Sequence, residues 1–263
     1  MARRRHRRRP DQPARQPRQP QRLPQPRPGR ARHLRGAGAV HHRRAGLLHL
    51  CAADFDKDGV IDVATTSVTS NQVSVIPGTG TGTFDPPVLI AILATGGVQS
   101  TIACRDLDGD TDIDLVVTSP SSARLSILVN QGDGTFAAPV AYTNALNGQT
   151  AGLAFGDADG DGKLDILANG AAGAYLFFFK GNGNGTFASG VQSATGAALV
   201  ANSALGVVAS DFNGDGKLDA YILYTTAAGG VFPMTGTGTG TFTAAPSSLL
   251  ASRPASTPSP SPT

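Results

Sequence analysis

The 263-residue chain contains no tryptophan and no glutamate, only two cysteines and two methionines, and no histidine beyond His49. Each absence removes a class of chemistry. Without histidine or glutamate, residues 50–263 cannot assemble a Ser-His-Asp triad, a Cys-His pair or a zinc site of the usual ligands, so this region is not expected to be an enzyme. Two cysteines make no disulfide framework. Cys51 and Cys104 stand three and two residues before an aspartate cluster, and on a strand those offsets point to opposite faces, which predicts two buried free thiols rather than a bridge. No stretch approaches 18 apolar residues, so no membrane span is expected. Helical periodicity is missing too. The 33 glycines cut the chain into pieces too short for a 3.6-residue stripe, and the short apolar runs between them read as strands.

Charge is present but unevenly placed. Residues 1–44 hold 15 of the 18 arginines and one acid, Asp11, whereas residues 45–263 hold 7 Lys plus Arg against 18 Asp, a net of −11. The Arg/Pro/Gln-rich segment 1–45 has almost nothing to bury and is predicted to be disordered. A misassigned gene start would leave the same composition. A basic arm for nucleic acid is a third reading, but the acidic body opposes it and nucleic acid is not the expected partner. The apolar stretch 45–53 is too short, and too close to the basic residues His41 to Arg44, to form a signal-peptide core. Residues 251–263 read as an extended Pro/Ser/Thr linker, with further domains expected beyond it.

Sixteen of the 19 aspartates fall in four loops. These are Asp54, Asp56, Asp58, Asp62; Asp106, Asp108, Asp110, Asp112, Asp114; Asp157, Asp159, Asp161, Asp165; and Asp211, Asp215, Asp219 with Asn213. First aspartates are 52, 51 and 54 residues apart, a period that marks a repeat architecture. Oxygen donors at positions 1, 3, 5 and 9 around a tight turn form a cage for calcium, a hard cation that takes six to eight oxygens. Position 7 lends its backbone carbonyl, so its side chain is free to vary, and Val60, Asp112, Lys163 and Lys217 have little in common. Position 6 needs a sharp turn, which Gly59, Gly162 and Gly216 supply and Thr111 does not. The second loop is therefore expected to be the weakest site. An EF-hand would need an acid at position 12, where Thr65, Val117, Ala168 and Ile222 stand. Up to four calcium ions, one per repeat, are expected, with a structural role.

Each loop joins two apolar segments: 47–51 to 60–64, 100–104 to 113–117, 151–155 to 164–168, and 205–209 to 218–223. A third segment follows (73–77, 125–130, 175–180, 231–234), then a glycine turn ending in Thr-Phe. Phe84, Phe136, Phe187 and Phe242 follow their first aspartates by 30, 30, 30 and 31 residues. A short fourth segment completes the unit, as in 86–91 and 139–142. Four antiparallel strands in about 50 residues make a propeller blade, with boundaries near 46–97, 98–148, 149–202 and 203–250. The expected fold is an all-β β-propeller of four-stranded antiparallel blades, four of them visible.

Apolar strand, Asp-x-Asp/Asn-x-Asp-Gly-x-x-Asp, apolar strand and Gly-Asn-Gly-Asn-Gly-Thr-Phe together resemble the FG-GAP/VCBS repeats of bacterial secreted proteins, related to the α-integrin propeller. The resemblance covers residues 47 to about 250. Such propellers usually close with around seven blades, which leaves three arrangements open: a four-bladed ring, part of a larger ring, or chains pairing at open edges. The resemblance implies a secreted or cell-surface calcium-binding module for adhesion or ligand recognition, with a protein or glycan partner. A structural spacer or accessory domain of a larger protein, an enzyme among the choices, is the alternative.

Overall fold

The computed structural model describes residues 47–67, 71–92, 101–119, 124–143, 150–170, 175–195, 204–224 and 230–245. The expected disordered segment 1–45 and linker 251–263 lie outside the described residues.

Among the described residues sixteen strands form four antiparallel sheets, each built from four consecutive strands in sequence order. The first sheet is β1 (Leu47–Ala53), β2 (Asp62–Ser67), β3 (Gln72–Ile76) and β4 (Val88–Ala91); the second is β5 (Ile102–Arg105), β6 (Asp114–Ser119), β7 (Arg124–Leu128) and β8 (Val140–Thr143). The third is β9 (Thr150–Gly156), β10 (Asp165–Gly170), β11 (Tyr175–Phe179) and β12 (Val191–Ala194); the fourth is β13 (Ala204–Ser210), β14 (Asp219–Tyr224), β15 (Gly230–Gly236) and β16 (Phe242–Ala244). The fold is all-β, with propeller-type blades.

The second strand of every blade starts at the ninth loop residue, one or two residues later than the apolar pattern predicts. The eighth residue explains the difference. Ile113, Leu164 and Leu218 pack against blade cores from within the loop, so an apolar loop residue looks like the start of a strand.

Both faces of the inner blades are apolar because both are covered. Alternation along a strand sends neighbouring residues to opposite faces, and three buried clusters form between successive blades. Phe55, Ala64 and Val75 of the first blade meet Ile102, Leu115 and Val117 of the second. Leu107, Val116 and Ile127 of the second meet Ile166, Phe177 and Phe179 of the third. Ala158, Leu167 and Phe178 of the third meet Val207, Ile222 and Met234 of the fourth. Full burial of side chains such as Leu115 or Leu167 contributes about 1.5–3 kcal/mol each. Polar ties cross the same interfaces: the Phe187 N–H donates to the Tyr142 hydroxyl at 3.0 Å and the Phe242 N–H to Ser193 Oγ at 3.2 Å.

The cysteines are free, as expected, and the stacking brings them together. Cys51 and Cys104 do occupy opposite faces of their own sheets, and that is what brings them together, because the forward face of one blade packs on the rear face of the next. The two thiols interact across the interface, which raises the Cys51 pKa and lowers that of Cys104. Both are free, and half-buried rather than buried.

Candidate metal centres in the aspartate loops

Each loop is folded by its own carboxylates before any ion is considered. The first aspartate accepts backbone N–H groups from across the turn: Asp54 Oδ2 from Gly59 at 2.8 Å, Asp106 Oδ2 from Thr111 at 3.0 Å, Asp157 Oδ2 from Gly162 at 2.8 Å and Asp211 Oδ2 from Gly216 at 2.8 Å. The third residue accepts from the fifth, as Asn213 Oδ1 does from Asp215 N at 2.8 Å. The fifth accepts from the seventh: Val60 N to Asp58, Asp112 N to Asp110, Lys163 N to Asp161 and Lys217 N to Asp215 span 2.7–3.0 Å.

The turn needs left-handed backbone at two positions. The sixth residue has φ of +84° at Gly59, +77° at Thr111, +81° at Gly162 and +81° at Gly216. Thr111 therefore carries the strain that its sequence position implies. The fourth residue is left-handed as well, at Gly109, Gly160 and Gly214, and in the first loop at Lys57 with φ +62°. The ligand spacing does not announce this second strained position, although glycine in three of the four loops is its signal.

The ninth aspartate does something the spacing alone does not reveal. It is buried in all four blades, and both of its oxygens accept backbone N–H groups. Asp62 takes Phe55 N at 3.0 Å and Gly78 N at 2.7 Å; Asp114 takes Leu107 N at 2.9 Å and Asn130 N at 2.8 Å. Asp165 takes Ala158 N at 2.8 Å and Gly181 N at 2.7 Å; Asp219 takes Phe212 N at 3.2 Å and Gly236 N at 2.9 Å. This residue staples the acidic loop to the glycine turn. Burial pushes the Asp114 carboxyl up to about 6 and raises that of Asp165.

Three loops gather carboxylates at one point. Asp54, Asp56 and Asp58 each offer an oxygen within 4.8 Å of the others, as do Asp106, Asp108 and Asp114, and Asp157, Asp159 and Asp165. Asp62, Asp110, Asp112 and Asp161 stand outside these trios. Among the described residues the fourth loop forms no trio of acids, since its third position is the neutral donor Asn213. Asp54 Oδ1 is buried without a hydrogen-bond partner among the described residues, and a desolvated anionic oxygen of this kind suits a hard cation. The donor set, all oxygen and mostly carboxylate, fits calcium. Lysines supply part of the counter-charge: Lys180 pairs with Asp159 and, at 2.7 Å, with Asp161, which it holds down to about 2, while Lys57 reaches across to Asp112 of the second blade. Asp133 is spent on its own glycine turn, accepting the Thr135 N–H at 3.0 Å.

Among solved structures the chain is similar to an Agrocybe aegerita lectin described as recognising non-reducing terminal N-acetylglucosamine. The match has 19% identity and a TM-score of 0.48, covering 73% of this chain and 49% of the lectin. A V. cholerae biofilm matrix protein matches at 17% identity and TM-score 0.45 over 74% of this chain and 27% of that one. The Photorhabdus luminescens Tc holotoxin pore matches at 17% and 0.45 over 78% and 9%. This chain thus spans about half of the lectin and less of the others. A search of curated proteins finds no match. The family model of the FG-GAP-like repeat matches residues 54–117, 106–168 and 159–222, each match beginning within one aspartate loop and ending after the next. The chain belongs to the FG-GAP-like repeat family.

Proposed function

We propose that these blades form a calcium-binding recognition module that works outside the cell, with calcium in a structural role and a protein or glycan as partner. The observation that carries the calcium reading is the convergence of three carboxylates in each of three loops, supported by the unpartnered Asp54 Oδ1. Positions 1, 3 and 5 would supply side-chain oxygens, position 7 its carbonyl and position 9 a remaining lone pair. When bound, the ion supplies positive charge that offsets repulsion among crowded carboxylates. The protein's own part is to hold those oxygens in place through the backbone donors described above. Millimolar calcium outside cells suits sites of modest affinity. We assign the region no catalytic role, for want of histidine and glutamate in the repeats.

Thermal unfolding of the full chain in calcium and in excess chelator tests the structural role. Because an ion that binds only the folded state stabilises it by mass action, the melting temperature is expected to fall on chelation. An unchanged melting temperature sinks the calcium reading. The recognition role is tested separately, by calcium-dependent binding to a glycan array and to extracellular matrix proteins; absence of binding to both favours a spacer.

A further inference from the structure

The positions buried at the three internal blade interfaces are the ones left bare at the two ends of the stack. On rear faces, the residue four before the first aspartate is buried in the second and fourth blades, Ile102 at 5% exposure and Val207 at 8%, but in the first blade Leu50 is 67% exposed. Seven residues after that aspartate, Ile61 is 57% exposed, while its counterparts Ile113, Leu164 and Leu218 pack into clusters. Phe84 is likewise exposed where Phe187 and Phe242 are buried. The forward face of the fourth blade shows the converse. The residue after the first aspartate is at most 3% exposed as Phe55, Leu107 and Ala158, yet Phe212 is 46% exposed, and beside it Val208 and Leu223 are also uncovered. The exposed outer-strand residues Val88, Val140 and Val191 recur across three blades and do not mark the ends.

One bare face is thus a rear face and the other a forward face, the two halves of an interface this chain already makes three times. The internal interfaces also seat each following glycine turn against the preceding acidic loop. Gly134 lies against Asp56 and Gly185 near Asp108, and the Gly240 N–H donates to the Ala158 carbonyl at 3.1 Å. The fourth loop has no such cover among the described residues, and its residues from Asp211 to Lys217 are exposed. Residues 1–45 and 251–263 contain no aspartate loop.

We infer that two copies of this chain join head to tail, the forward face of each fourth blade packing on the rear face of the partner's first blade, to close an eight-bladed ring. Eight blades lie within the usual range for propellers. A heterologous contact of this kind closes into a ring when its rotation allows, and it removes both apolar faces from water.

The test is solution mass by light scattering on the full chain, with Leu50→Arg and Val208→Arg, and with Ile61→Arg and Leu223→Arg as second variants of the same faces. All four sites are solvent-exposed in the single chain, so folding is expected to survive, and thermal unfolding checks it. The wild type is expected at twice the single-chain mass and each variant alone at the single-chain mass. A mixture of Leu50→Arg and Val208→Arg is expected to regain two-chain mass, because the first keeps an intact forward face and the second an intact rear face. A monomeric wild type overturns the inference, as do growing filaments. A two-chain mass that survives either variant alone overturns it as well, since like faces would then be pairing.

Discussion

Replacing Thr111 with glycine removes the most strained residue of the four loops, a β-branched side chain held at φ +77°. An L-residue in left-handed backbone costs about 1–2 kcal/mol, and a β-branched one sits there least readily. Against this, glycine gives the unfolded chain more freedom, worth about 0.4–1 kcal/mol. The change also gives up the 3.4 Å hydrogen bond that Thr111 Oγ1 accepts from Lys57, which is exposed and worth little. Thr111→Gly should therefore stabilise the domain by up to about 1.5 kcal/mol, which in a domain of this size raises Tm by up to about 6 °C. Urea unfolding in chelator reads the strain alone; repeating it in calcium adds the second site's affinity, which should also rise. Gly162→Thr, the reverse change at the equivalent position, should cost a similar amount or more. The reasoning fails if Thr111→Gly lowers the urea midpoint, or if Gly162→Thr leaves it unmoved. Lys57 adds a qualification to the ranking of sites. Its own left-handed backbone places the first loop beside the second as a strained site, and relaxed loops are expected at the third and fourth.

Asp165→Ala should cost about 2–4 kcal/mol even in chelator, because it strands the Ala158 and Gly181 N–H groups in a buried site. Asp161→Ala, exposed at the loop tip, should act mainly when calcium is present; urea titrations with and without the ion separate the two. Gly181→Ala should destabilise by about 1–3 kcal/mol, since a Cβ there would fall onto the Leu164 carbonyl oxygen, and an unchanged melting curve would contradict the packing described. The same clash is expected for Gly236→Ala against the Leu218 carbonyl, whereas the second blade carries Asn130 at this position, with its side-chain amide donating to the Ile113 and Phe55 carbonyls at 3.2 and 2.8 Å.

The repeat is legible because its spacing is a property of the chain itself. Glycine-bounded apolar runs mark the strands, and the aspartate and phenylalanine periods mark the blade. What stays hidden are consequences of contact between units distant in sequence. The constant phase of 30 residues between Asp54 and Phe84 is visible, but its cause, a ninth aspartate gripping the start of the glycine turn 16 or 17 residues later, is not. The extra residue in the fourth blade falls in both intervals, which is the signal that exposes the link. The proximity of the two cysteines is hidden for a related reason. Opposite faces separate residues within one sheet, but in a stack of sheets they are the faces that meet.

The staple also fixes how much of the loop's shape depends on an ion. Each oxygen of position 9 accepts one backbone N–H in every blade, and positions 1, 3 and 5 accept backbone N–H groups too, so hydrogen bonds of the chain itself help to draw the turn. Under the proposed calcium role, the ion would mostly neutralise charge. Where the chain already supplies a cation, as Lys180 does for Asp159 and Asp161 in the third loop, part of that neutralisation is in place. In the first loop Asp54 Oδ1 remains unpartnered among the described residues, whereas in the other three loops the N–H of the fourth residue, a glycine, fills the equivalent oxygen at 2.7 Å. It follows that chelation should loosen the blades without unfolding them, and should be felt more in the first loop than in the third.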